Sequence, residues 1–140
     1  MKIGIDIGNV IIGGGGEDTF FTESFMDTPE VEGALNSIRA LKEAGHELHV
    51  ISKCGQATEL RSVVWLGNMG FLPWIFLERR LHFVRKRHLK APMAQALELD
   101  IFIDDRQDII DSMEGIVDHP ILFTSWEQTN NELKGIFPHD

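Results

Sequence analysis

The first dozen residues, MKIGIDIGNVII, constrain the chain more than any other stretch, because they read as a buried strand that ends on a carboxylate. The apolar run Ile3 to Ile7 is broken only by Gly4 and Asp6, the pattern of a central strand in a parallel sheet covered on both faces. A carboxylate in that setting must be hydrogen-bonded, ion-paired or bound to a cation, since an uncompensated buried charge costs several kcal/mol. Ligands of open α/β sheets bind beyond the carboxyl ends of the strands, and Gly8-Asn9 supplies the turn such a crevice needs. Asp6 is therefore the first candidate for chemistry.

The segments that follow alternate between helical and strand patterns. Gly13-Gly-Gly-Gly16 opens a stretch, residues 13–28, that reads as a flexible flap without the Lys-Ser/Thr of a phosphate-binding P-loop. Helix signals start at Asp27-Thr28-Pro29, continue through Val31, Ala34, Leu35, Ile38 and Leu41, and stop at Gly45. A strand over Glu47 to Ser52 ends on Ser52-Lys53. A helix over Gln56 to Asn68 is expected to turn Leu60, Val63, Val64 and Trp65 inward, and Leu72 to Leu77, with Pro73 inside it, reads as a covering loop in which Trp74 packs. The strand Leu81 to Val84 leads into Arg85-Lys-Arg-His-Leu-Lys90, and Ala91-Pro92 opens a helix to about Leu99. The strand Asp100 to Asp104 ends on an acidic pair, and a last strand, Ile121 to Thr124, precedes a helix with Trp126 and Leu133. Five strands alternating with helices imply a three-layer α/β sandwich around a mostly parallel five-stranded sheet.

Composition narrows the functional classes. At 140 residues the chain reads as one domain, 1–140, and no apolar run reaches the roughly 18 residues of a membrane helix. Neither a membrane partner nor a secretory signal is expected, and a cytoplasmic location follows, to which the single Cys54 conforms. The formal charge of −9 argues against nucleic-acid binding over the whole surface, yet six of the thirteen Lys and Arg residues fall between Arg79 and Lys90. His46 and His49 read as exposed polar residues, and Cys54 as a packing residue.

In a parallel sheet the strand ends bring together Asp6, Ser52, a Lys or Arg from 85–90, and Asp104-Asp105. Three converging carboxylates repel one another, and oxygen ligands favour Mg²⁺. Ser52 and a lysine then suit phosphate oxygens while an aspartate faces phosphorus as a nucleophile, the layout of phosphoryl transfer through an aspartyl-phosphate.

These residues resemble the four ordered motifs of the haloacid dehalogenase (HAD) superfamily: Ile3-Gly-Ile-Asp-Ile-Gly-Asn-Val10, Val50-Ile-Ser52, Lys90-Ala-Pro92 and Ile101-Phe-Ile-Asp-Asp105. The resemblance implies an Mg²⁺-dependent phosphatase without a folded cap, with Asp6 as nucleophile and Asp6, the Gly8 carbonyl, Asp104 and Asp105 at the metal. It implies Ser52 and Lys90 as catalytic partners and Ser52, Lys53, Asn9 and Lys86 or Lys90 on the phosphate, with Asp108 supporting the acids or capping the next helix. The family's phosphatases usually carry a second aspartate two residues after the nucleophile as general acid; this chain has Gly8, as some HAD phosphatases that read Asp-x-Gly-Asn do, and Glu17 or Asp18 is a substitute. The implied substrate is a phosphorylated small molecule or nucleotide, with a nucleic-acid end as a further class. The competing expectation is a HAD-fold module that binds Mg²⁺ or phosphate without turnover.

Overall fold

The computed structural model describes residues 1–13, 20 and 22–138. Five strands, β1 (Lys2–Ile5), β2 (Glu47–Lys53), β3 (Leu81–Val84), β4 (Ile101–Asp104) and β5 (His119–Leu122), form one sheet in the order β3-β2-β1-β4-β5. All four pairings are parallel. β1 lies at the centre, as its nearly uninterrupted apolar run requires.

Alternation along the strands sorts side chains onto two faces. Ile3, Ile5, Val50, Ile101, Ile103 and Ile121 share one core with α1 (Ala34–Glu43), α2 (Gln56–Asn68) and α5 (Trp126–Ile136). On the other face Ile51, Val84 and Phe102 pack with α3 (Lys90–Ala96) and α4 (Gln107–Ser112). Gly4 explains one break in the first apolar run, because a Cβ there would sit 2.5 Å from Leu99 Cδ1 and 2.6 Å from Phe102 Cδ1. The missing side chain is the space into which Phe102 packs.

Several expectations need correction. The first long helix begins at Ala34, not near Asp27, because Gly13 N–H donates to Pro29 O (3.1 Å) and Val31 N–H to Ile11 O (2.8 Å). The backbone of 29–31 is thus committed to the loop after β1, and Gly33, at φ 83°, turns the chain into the helix. A 3-10 helix, Phe25–Asp27, lies within the stretch read as a flap; 14–19 and Phe21 lie outside the described residues, and Phe20 is buried in the core against Phe25. In α2 the inward residues are Ser62, Trp65 and Leu66, while Leu60 and Val64 are 61% and 51% exposed. Trp65 sets that rotation by donating from Nε1 to Thr28 O at 2.9 Å. Trp74 is 79% exposed, whereas His49 is buried. β5 begins at His119, two residues earlier than its apolar run. No helix among the described residues is long and apolar enough to cross a membrane.

Candidate active site

The carboxyl end of β1 continues one residue past the strand, with Asp6 N–H donating to Ile103 O at 3.0 Å. Asp6 therefore stands beside β4, and by the strand alternation it shares the α3 side of the sheet with Asp104. Lys90, first residue of α3, is aimed into the gap between them. Its Nζ donates to Asp6 Oδ1 at 3.1 Å and to Asp104 Oδ2 at 2.8 Å, and all three side chains are at least nine-tenths buried. Of the two lysines open from sequence, Lys90 is the one the fold inserts; Lys86 is exposed.

The turn after β1 is built for close approach. Val10, Ile11 and Ile12 direct their amides at Ile7 O, and Asn9 N–H bonds Ile12 O at 2.8 Å. Asn9 itself takes the left-handed conformation, φ 63°, which asparagine tolerates better than most residues. Its Nδ2 donates to Asp105 Oδ2 at 3.3 Å, a contact that sequence spacing alone does not signal. Gly8 has no positive φ, and among the described residues no atom would lie within 4 Å of a Cβ there. The backbone would accept a side chain at this position.

Asp104 is fully buried and doubly engaged, accepting from Arg106 N–H at 3.0 Å as well as from Lys90. Asp108 stands apart: it is exposed and chelated by the Arg106 guanidinium at 3.0 and 3.2 Å. Ser52 is buried at the end of β2, and burial pushes the nearby Cys54 thiol above its usual range. Neighbouring Lys53 is exposed. Glu17 and Asp18, the substitute acids, lie outside the described residues.

Charge balance defines what the pocket can hold. Burial is the main influence that pushes Asp6 up to about 8; Asp104 and Asp105 add to it and Lys90 opposes it. Asp104 is raised for the same leading reason, its burial. Burial pulls on Lys90 in the other direction, but Asp6 and Asp104 together hold it above the ordinary lysine range. One ammonium thus pairs with two carboxylates, and a third, Asp105, lies beside them. Oxygen atoms of Asp6, Asp104 and Asp105 lie within 4.8 Å of one another, an all-oxygen donor set short of positive charge, which fits a hard divalent cation such as Mg²⁺.

Two solved structures share this architecture. The chain superposes on a chain of the Pnkp1/Rnl/Hen1 RNA repair complex with a TM-score of 0.67 at 13% identity, over 87% of this chain and 42% of that one. It also matches the D,D-heptose 1,7-bisphosphate phosphatase from B. bronchiseptica, complexed with magnesium and phosphate, with a TM-score of 0.58 at 13% identity, over 99% and 89% of the two chains. The chain has the fold of the haloacid dehalogenase (HAD) superfamily. In sequence, this HAD-fold chain is 28% identical over 97 residues to the Oceanobacillus iheyensis protein called "Putative nucleotidase OB0422", which covers 69% of the chain. It spans about half the length of that relative (50%). No protein-family model matches the sequence.

Proposed function

We propose that the chain is a Mg²⁺-dependent phosphomonoester hydrolase, one HAD-type domain over residues 1–140, that works through an aspartyl-phosphate on Asp6. The observation that carries this reading is the Lys90 ammonium held between Asp6 and Asp104 at 3.1 and 2.8 Å, with Asp105 alongside, at the carboxyl end of a HAD sheet. The names of the similar proteins, a nucleotidase, a sugar bisphosphate phosphatase and an RNA repair complex, support a phosphorylated substrate, either a nucleotide or a nucleic-acid end.

Asp6, Asp104, Asp105 and the main-chain carbonyl of Gly8 would hold Mg²⁺, which would supply the positive charge that lets a carboxylate and a phosphate dianion approach. An Asp6 carboxylate oxygen attacks phosphorus as the bond to the ester oxygen breaks. Lys90 neutralises Asp6 and the incoming phosphate, and Ser52 receives a phosphate oxygen. The departing alkoxide takes its proton from water, since position 8 offers none. Water then attacks the acyl phosphate, releasing inorganic phosphate and restoring Asp6.

Gly8 also favours a second reading, a module that binds Mg²⁺ and phosphate without turnover. General acid–base assistance is typically worth about 10²–10⁴-fold, which is the deficit this residue imposes. The deciding experiment is Mg²⁺-dependent phosphate release from nucleotides, sugar phosphates and phosphorylated oligonucleotides, with Asp6→Asn in parallel. Release that disappears in Asp6→Asn supports the hydrolase. No release from any substrate, together with a Mg²⁺-induced rise in melting temperature, supports the module.

A further inference from the structure

The basic segment picked out by charge distribution is only partly used by the site. Lys90 enters it, and Arg80 pairs with Glu47. Arg85 is tied down by Cys54 O at 3.0 Å and Glu59 Oε1 at 2.9 Å. Lys53, Lys86 and Arg87 are exposed and make no ion pair among the described residues.

Register places these three cations on one side of the site. Lys53 is aligned with Val84, the last residue of β3, and alternation puts both on the α3 face that also carries Asp6 and Asp104. From Val84 the chain runs through Lys86 and the 3-10 helix Arg87–Leu89 directly into Lys90, and that short helix packs against both α3 and α4. The segment therefore borders the pocket from the β3 edge of the sheet round to the helix that follows the acidic pair.

One phosphate does not account for this rim. A single phosphoryl group is already matched by Lys90, Ser52 and the cation that the three carboxylates call for. Three unpaired cations beside that site, on a chain of formal charge −9, are surplus to it. Resting on the hydrolase reading above, we propose that Lys53, Lys86 and Arg87 form a second anion subsite that takes another phosphate group of the same substrate. Two kinds of molecule present that chemistry: a small bisphosphate, and a nucleic-acid strand whose next phosphodiester follows the terminal phosphate.

The test compares kcat/KM, in Mg²⁺, for adenosine 5′-monophosphate, adenosine 3′,5′-bisphosphate and a 5′-phosphorylated oligoadenylate. The natural protein is run beside the double charge reversal Lys86→Glu/Arg87→Glu and the conservative Lys86→Arg/Arg87→Lys. The subsite predicts a preference of about tenfold for a second phosphate, steeply reduced by salt, abolished by charge reversal and kept by the conservative pair. Equal preference for bisphosphate and oligonucleotide assigns the small molecule; preference for the oligonucleotide alone assigns the strand. A preference absent from the natural protein, or unchanged by charge reversal, overturns the subsite.

If no substrate is hydrolysed, the hydrolase reading has failed and the rim is judged by binding alone. Fluorescence anisotropy of labelled oligoadenylate and calorimetry with adenosine 3′,5′-bisphosphate at low salt then decide. Binding lost on charge reversal upholds the subsite, and no binding of either probe overturns it.

Discussion

The Lys90 ammonium lies 3.1 Å from Asp6 and 2.8 Å from Asp104, so a single buried cation joins the first strand of the sheet to the fourth. Removing one member of such a cluster leaves charge buried without compensation. Lys90→Met is expected to cost about 3 kcal/mol or more in urea unfolding without metal. Saturating Mg²⁺ should return part of that loss, which a second titration checks.

Asp6→Asn is expected to act oppositely on the metal-free fold. It removes one of the two carboxylates that share the Lys90 ammonium, beside a third at Asp105, while keeping the side chain's size, and functional sites store instability of this kind. We expect a gain of about 1 kcal/mol in EDTA. The rise in melting temperature that Mg²⁺ gives the natural protein should vanish in this variant, as scanning calorimetry would reveal.

Gly8→Asp should fold normally, because the residue has no positive φ and its Cβ would meet no atom of the described residues within 4 Å. Phosphate release should rise by about 10²–10⁴-fold. Steady-state kinetics on the best substrate tests it, and an unchanged rate would mean that the missing acid is not what limits turnover.

Asn9 combines a left-handed backbone with a hydrogen bond to Asp105, and two substitutions separate these roles. Asn9→Ala should lose about 1 kcal/mol of stability and also weaken Mg²⁺ binding. Asn9→Gly should keep the stability and still bind Mg²⁺ several-fold more weakly, measurable by calorimetric titration.

Towards the β3 edge of the sheet, β2 and β3 carry a part-buried pair, with His49 Nδ1 3.1 Å from His82 Nε2 and His49 Nε2 2.8 Å from Glu47. His82 is held below its usual value, first by burial and then by His49 and Arg80. The folded protein thus takes up this proton later than the unfolded chain, and stability falls as pH drops below the unfolded value of 6.5. Glu47, lowered chiefly by its bond to His49, acts in the same direction, but only below its ordinary value of 4.5. Asp6, raised by burial, acts in reverse, so the comparison belongs in the Asp6→Asn background. There, His82→Gln should flatten the fall in melting temperature between about pH 7.5 and 5.5.

The residues that end strands were the legible ones. Asp6, Asp104 and Asp105 stand out because each places charge next to an apolar run, and the fold gathers all three. What sequence left undecided depended on tertiary geometry. Lys86 and Lys90 sit in one basic run, and only the start of α3 selects Lys90. Asn9 is oriented by a left-handed turn toward a residue 96 positions away, and Asp108 is claimed by Arg106 two positions before it. The rotation of α2 has a similar origin: periodicity places Trp65 inward, but only its bond to Thr28 turns Leu60 and Val64 out to solvent.

The strand order has a consequence for how the chain is made. Because β1 pairs with β2 on one side and β4 on the other, a ribosome delivers Asp6 and Ser52 long before Asp104. Until β4 arrives, one flank of β1 has no strand to pair with, and Asp6 lacks two of its three acidic and basic neighbours. The pocket is therefore a late product of synthesis, and an interrupted nascent chain would offer an unpaired central strand to whatever holds unfinished proteins.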